Sequence, residues 1–145
     1  MINNILIVCI GNICRSPMAE ALFRQAFPEK EIISAGIAAQ AGRPADEKAV
    51  RVMKEHGIDI STYHAKPLTE EMIRNADLVV TMDQEQRRYI ERRFPSATGK
   101  VIRLGEFSEY DIGDPYQRDQ DVFFDTYRLI AKGLDELAEQ IALIA

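Results

Sequence analysis

The chain has 145 residues, 46% of them hydrophobic, and a net charge of −5. That length suits a single folded unit over residues 1–145, the hydrophobic share excludes disorder, and the acidic balance argues against non-specific nucleic-acid binding. It does not exclude an anionic ligand, because a site can be locally positive on an acidic protein.

The chain opens with Ile5 to Ile10, the only apolar run near the N-terminus. It is too short for a signal-peptide core or a membrane span, and no basic segment precedes it. A cytoplasmic protein without membrane insertion is expected, monomeric by default. Asn4 to Ile10 reads as a buried strand, with Ile5, Leu6, Ile7 and Val8 continuous and mostly β-branched. Gly11-Asn12 breaks the run. Ser16-Pro17 then signals a helix start, with Ser16 as N-cap and Pro17 at the first helical position. The helix carries Ala19, Leu22, Phe23 and Ala26 on one face and ends at Pro28.

The alternation repeats. Glu31 to Ala35 reads as a second strand, closed by Gly36. Asp46 to His56 reads as a helix stopped by Gly57, and Thr69 to Asn75 as a short helix capped by Thr69. Asp77 to Met82 is a third strand. Asp83 and Gln86 form a capping box for a helix to Arg93, stopped by Pro95. Lys100 to Leu104 is a fourth strand, and Gly105 to Tyr116 is aperiodic loop. From Arg118 a long amphipathic helix runs through Val122, Phe123, Thr126, Leu129, Ile130, Leu134, Leu137 and Ile141. Strands alternating with helices imply an α/β domain of three layers, a parallel sheet with helices on both faces. Right-handed crossovers leave all strand C-terminal ends on one edge, where ligands bind.

The loop from Cys9 to Ser16 sits on that edge. It reads Cys9, Ile10, Gly11, Asn12, Ile13, Cys14, Arg15, Ser16. Its backbone N–H groups and the helix N-terminus converge on one spot, which favours an anion. Gly11 lets the backbone turn and approach a ligand, Asn12 suits a left-handed position that locks the loop, and Arg15 can grip two phosphoryl oxygens. A cysteine in that positive field favours the thiolate. Thiolate plus oxyanion cradle is what nucleophilic displacement at phosphorus requires. Ser16 can donate to the sulfur. The competing reading makes Cys9 a buried strand residue and nothing more. Cys9 and Cys14 are the only cysteines, and His56 and His64 stand at no ligand-like spacing from them, so neither a disulfide framework nor a metal is expected. No other cofactor is expected.

The segment from Val8 to Ala19, VCIGNICRSPMA, resembles the signature of the low-molecular-weight protein tyrosine phosphatases, and the resemblance extends over essentially the whole chain. Ser34-Ala35-Gly36 looks like the family's SAG segment, and Asp114-Pro115-Tyr116 looks like the motif that carries its general acid. The resemblance implies a four-stranded parallel sheet in the order 2-1-3-4 and two-step phosphoryl transfer. Cys9 would be nucleophile, Arg15 anion clamp and Asp114 acid then base. Asp111 is a rival that the residue pattern alone does not eliminate. Tyr116 would wall the phosphotyrosine ring; Gln117 stands where some relatives carry a second aromatic. Ile10 and Ile13 would line the cleft mouth. Phosphoarginine-specific relatives carry threonine at the position of Ile13, so isoleucine favours a flat aromatic ester. His64 is a candidate partner of the Asn12 network, against the plainer reading of a surface histidine. Cys14 is a candidate for a reversible disulfide that shields Cys9, against a small buried residue.

The nearest branch by resemblance is the bacterial one that serves exopolysaccharide export. It implies a phosphotyrosine protein as partner, an autophosphorylated tyrosine kinase controlling capsule or exopolysaccharide synthesis. Alternatives are an arsenate reductase of the same fold, a phosphoarginine phosphatase and a phosphotyrosine-binding module. The reductases pass oxidation to cysteines further downstream, and none follows Cys14. A binding module needs neither nucleophile nor acid.

Overall fold

The central strand accounts for the layering. In the computed structural model, which describes residues 1–144, β1 (Asn4–Cys9) pairs in parallel with β2 (Glu31–Gly36) on one side and β3 (Leu78–Thr81) on the other. β3 pairs in turn with β4 (Val101–Arg103), giving the expected order β2-β1-β3-β4. Successive side chains on a strand point to opposite faces. Ile5, Ile7 and Cys9 therefore enter one core with Met18, Leu22 and Phe23 of α1 (Arg15–Ala26) and Phe123, Ile130 and Leu134 of α5 (Gln120–Ile144). α2 (Glu47–Glu55) joins that face through Ala49, Val52 and Met53. Leu6 and Val8 enter a second core with Ile73 of α3 (Glu70–Asn75) and Ile90 of α4 (Gln84–Arg93). Ile5 through Val8 are each at most 1% exposed. Each such burial is worth roughly 1.5–3 kcal/mol against the extended chain, so this strand anchors both layers.

Helix ends follow local chemistry with one exception. Asp46 caps α2 by accepting from Lys48 N–H at 2.9 Å, and Thr69 caps α3, as expected, by accepting from Met72 N–H at 3.2 Å. At α4, Asp83 accepts from Gln86 N–H at 2.7 Å, while Gln86 Oε1 reaches back past Asp83 to Met82 N–H at 2.9 Å. The capping box is thus stretched by one residue. The exception is α1. It begins at Arg15, with Cys14 at the cap and no side chain bonding the first turn. Ser16 is inside the helix, not capping it, because its hydroxyl is used elsewhere. Pro17 stays in the first turn, where a missing N–H costs no hydrogen bond.

β1 connects onward to β2 on one side, and the chain later returns to place β3 on the other. The crevice outside the C-terminal ends of β1 and β3 is therefore the switch point of the sheet. Cys9 ends β1 there and Asp83 follows β3 there. The segment after β4 forms a 3-10 turn at Glu106–Ser108 and then crosses the same edge. Ile112, fully buried, donates its N–H to Met82 O at 2.9 Å and fixes where the following residues lie.

Candidate active site

The Cys9–Ser16 loop is held by Asn12. Asn12 is the residue with positive φ (56°), fully buried. Gly11 has no positive φ, and a Cβ there would rest in ordinary contact, 3.6 Å from Ile13. The sharp turn expected of Gly11 is made by Asn12, whose side chain compensates the backbone cost with hydrogen bonds. Asn12 Oδ1 accepts from Lys66 N–H at 2.8 Å and from Tyr63 O–H at 2.6 Å. A backbone N–H can only donate, so this contact fixes the amide orientation. Asn12 Nδ2 must then donate to Ser16 Oγ at 2.6 Å and to Ser34 Oγ at 3.1 Å. Ser16 accepts from Asn12, and its own hydrogen is left for Cys9 Sγ, 2.9 Å away. Asn12 N–H reaches the same sulfur at 3.3 Å. Two donors thus converge on one sulfur and can stabilise negative charge that develops there.

The second strand supplies the platform. Gly36 packs under the loop so closely that a Cβ would lie 2.5 Å from Ile10 O and 3.0 Å from Asn12 Cβ. Ile37 N–H and Ala38 N–H donate to Cys9 O and Ile10 O, both at 2.9 Å. Ser34 relays the network outward to Glu20 Oε1 at 2.9 Å.

Arg15 is 3% exposed. Its Nη1 donates to Ile112 O at 2.8 Å and lies 3.5 Å from Asp83 Oδ2, and its Nη2 lies 3.7 Å from Asp114 Oδ2. The guanidinium thereby links the loop to the segment bearing Asp114. Cys9, Ile10, Gly11, Ile13, Cys14, Arg15, Asp114 and Tyr116 all line one cavity of about 150 Å³. The structure thus brings these eight residues together, while Asn12 and Ser16, also expected to bind substrate, are fully buried and do not line the cavity. Asp111 lies outside this lining. Its Oδ1 accepts from Arg103 Nη1 at 2.9 Å and from Gln84 N–H at 3.2 Å. Asp114 keeps its carboxyl at the cavity, half exposed, with Oδ1 accepting from Tyr116 N–H at 3.1 Å. A larger hollow of about 310 Å³ near Asn4 and Met72 holds no cysteine, histidine or arginine, so volume does not locate the chemistry here.

Several placements differ from expectation. His64 is exposed and its Nδ1 faces Gly42 O at 3.3 Å, apart from the Asn12 network. Tyr63, one residue earlier, is the partner instead. Burial first of all pushes the Tyr63 phenol up to about 12, which keeps it a neutral donor. Ile13 is 6% exposed and forms an inner wall, whereas Ile10, at 40%, stands at the mouth. Cys14 is buried beside Cys9 and both are free thiols. Burial, with Asp46 and Asp114 adding to it, pushes the Cys14 thiol far up. At neutral pH that keeps Cys14 in its thiol form on the cavity wall it shares with Cys9. Arg43 joins the site without any signal in its local sequence. It lines the cavity, donates from Nη2 to Tyr116 Oη at 3.2 Å, and sits 5.6 Å from the centre of that ring.

Residues 4–143 match the model of the low molecular weight phosphotyrosine protein phosphatase family. A probable low molecular weight protein-tyrosine-phosphatase, EpsP of Ralstonia solanacearum, is 52% identical over 141 residues, 97% of each chain. The tyrosine phosphatase Wzb from Escherichia coli K30, solved with sulphate, superposes with a TM-score of 0.93 at 34% identity, covering 97% of this chain and 99% of that one. The YwlE arginine phosphatase of Geobacillus stearothermophilus superposes nearly as well, with a TM-score of 0.90 at 35% identity over 97% and 94% of the two chains. The fold is thus shared across two phosphoryl chemistries, and the lineage is settled by sequence: the chain belongs to the low molecular weight phosphotyrosine protein phosphatases.

Proposed function

We propose that this protein hydrolyses phosphotyrosine through a phosphocysteine formed on Cys9. The observation that carries the reading is a sulfur receiving two hydrogen-bond donors in a cavity that also exposes Arg15 and Asp114. In the first step Cys9 thiolate attacks phosphorus in line. The S–P bond forms, the P–O bond to the phenol breaks, and Asp114 gives its proton to the departing oxygen. Arg15 and the loop N–H groups hold the three equatorial oxygens. In the second step Asp114, now carboxylate, takes a proton from water. The water oxygen bonds to phosphorus, and sulfur leaves as thiolate, met again by the Ser16 hydroxyl.

An aromatic ester suits the walls. Tyr116 stands 39% exposed at the mouth, and Ile10 and Ile13 offer apolar surface to a flat ring. Ile13 cannot bond a guanidinium, which weighs against phosphoarginine. The resemblance to the exopolysaccharide-associated branch supports an autophosphorylated tyrosine kinase as the protein substrate. Among the described residues no helix is long and apolar enough to cross a membrane.

The test is a substrate panel: p-nitrophenyl phosphate, phosphotyrosine, phosphoserine and phosphoarginine peptides, and arsenate, each also against Cys9→Ser. Turnover confined to aryl esters and abolished in Cys9→Ser is expected. Phosphoarginine as the best substrate, or turnover surviving in Cys9→Ser, contradicts the reading.

A further inference from the structure

The cavity around Cys9 is one of two adjoining hollows. The second, of about 320 Å³, shares Ile10, Arg15 and Asp114 with it and extends to Ile37, Asp83, Glu85, Gln86 and Tyr89. The two differ in sign. On the first side the cation beyond Arg15 is Arg43, exposed at the rim, bonded to the Tyr116 hydroxyl and to no carboxylate among the described residues. Its loop is fixed, because Gly42 N–H donates to Ala65 O and Ala65 N–H to Arg43 O, at 2.9 and 2.8 Å. On the second side three carboxylates, Asp83, Glu85 and Asp114, line the hollow with one guanidinium, that of Arg15.

The second hollow has further features of a binding surface. Ile10 and Tyr89, 40% and 37% exposed, give it an apolar wall together with Ile37. Gln86, 3% exposed, uses Oε1 on Met82 N–H, and its Nε2 has no hydrogen-bond partner among the described residues. An apolar wall ending in carboxylates fits a side chain with a methylene stem and a cationic head, which lies along the wall and carries its charge to the acidic end. Tyr89 adds a ring face for the same cation.

Resting on the phosphotyrosine reading above, we propose that the mouth is a charge-polarised cradle for the substrate peptide. Arg43 pairs with an acidic side chain on one side of the phosphotyrosine. The Glu85 hollow takes a lysine or arginine on the other side. Arg43 has a second effect, holding the Tyr116 ring where it walls the phenyl group.

The experiment uses three phosphotyrosine peptides of one core: glutamate before and lysine after the phosphotyrosine, the reverse, and alanine at both. kcat/KM is measured for wild type and for Arg43→Glu, Glu85→Lys and the double variant. Each enzyme is read by the ratio between its two charged peptides, which a general loss of turnover leaves intact. Wild type is expected to favour one charged order, by about two- to fivefold for each pair, the range of exposed ion pairs. The gain should lie mainly in KM and shrink with added salt. Each single variant narrows the ratio, and the double variant inverts it. If the double variant is too slow to measure, Glu85→Lys alone must narrow the ratio. Equal treatment of the two charged peptides by wild type, or an order unchanged by reversal, overturns the cradle. Failure of wild type to hydrolyse even p-nitrophenyl phosphate is a different result, and it removes the phosphatase reading itself.

Discussion

The direction of one hydrogen bond decides the chemistry of Cys9. Because Lys66 N–H and Tyr63 O–H occupy Asn12 Oδ1, the Asn12 amide must donate to Ser16, and Ser16 is left to donate to sulfur. The loop members of this relay lie within eight positions of one another, from Cys9 to Ser16, which is why Cys9, Asn12, Arg15 and Ser16 are legible as one site in the sequence. Tyr63 is not. It reaches Asn12 from 51 residues away, on a segment with no periodic signature. His64 stands beside the true partner, and alternation separates the two. Tyr63 turns in, His64 turns out and Ala65 turns in, as successive side chains of an extended segment do. The choice between Asp111 and Asp114 also needs three dimensions, since only partners distinguish them. Asp114→Asn should lower turnover of esters with poor phenolic leaving groups by about 10²–10⁴-fold, the range for a lost general acid. The loss should be smaller for p-nitrophenol, which leaves without much help. Asp111→Asn should leave turnover nearly intact and cost stability through Arg103. Kinetics in the reverse order would reassign the acid.

At the scale of elements, most boundaries are legible because caps and breakers are local. Thr69, Asp46 and Asp83 cap as their residue types dictate. Ser16 does not, because a tertiary bond to Cys9 outweighs a cap worth about 1 kcal/mol. The Ser34-Ala35-Gly36 segment gains a physical meaning only from packing. Ser34 bonds Asn12, and Gly36 lets the loop descend onto β2. Gly36→Ala should therefore destabilise the fold by about 1–3 kcal/mol through overpacking against backbone, with phosphatase activity falling more than the unfolded fraction explains. Gly11→Ala, with room for its Cβ, should cost less stability. Thermal unfolding of the two variants side by side makes the comparison, and equal losses would mean the loop yields easily.

The molecule as a whole closes its site from both cores. β1 brings Cys9, the N-cap of α4 brings Asp83, and the segment before α5 brings Asp114, so no single element carries the machinery. The parallel sheet and its helical faces follow from alternation and handedness, its strand order from the family resemblance, and the structure has both as expected. Arg43 and the second hollow have no such signature, since a surface cation and a groove are products of how loops meet. Global stability should also carry the mark of two half-buried phenols. Burial first of all raises Tyr63 and Tyr110, each to about 12, against about 10 in the unfolded chain. Their folded pKa lies above the unfolded one. The stability this gives is full below about pH 10 and is lost as pH rises toward 12. Tyr63→Phe should be less stable than wild type near neutrality, because Asn12 loses a donor, yet lose less between about pH 10 and 12. Urea unfolding at the two ends of that window measures it; parallel losses would deny Tyr63 its part.

The central claim is that phosphate passes through the sulfur of Cys9. Rapid acid quench during turnover of a phosphotyrosine peptide, followed by mass spectrometry of the digested enzyme, tests it most directly. The expected result is a phosphoryl adduct on Cys9, absent in Cys9→Ser and, with p-nitrophenyl phosphate as substrate, accumulating when Asp114→Asn slows the water step. Turnover with no adduct on Cys9, or with phosphate on any other side chain, would contradict the account.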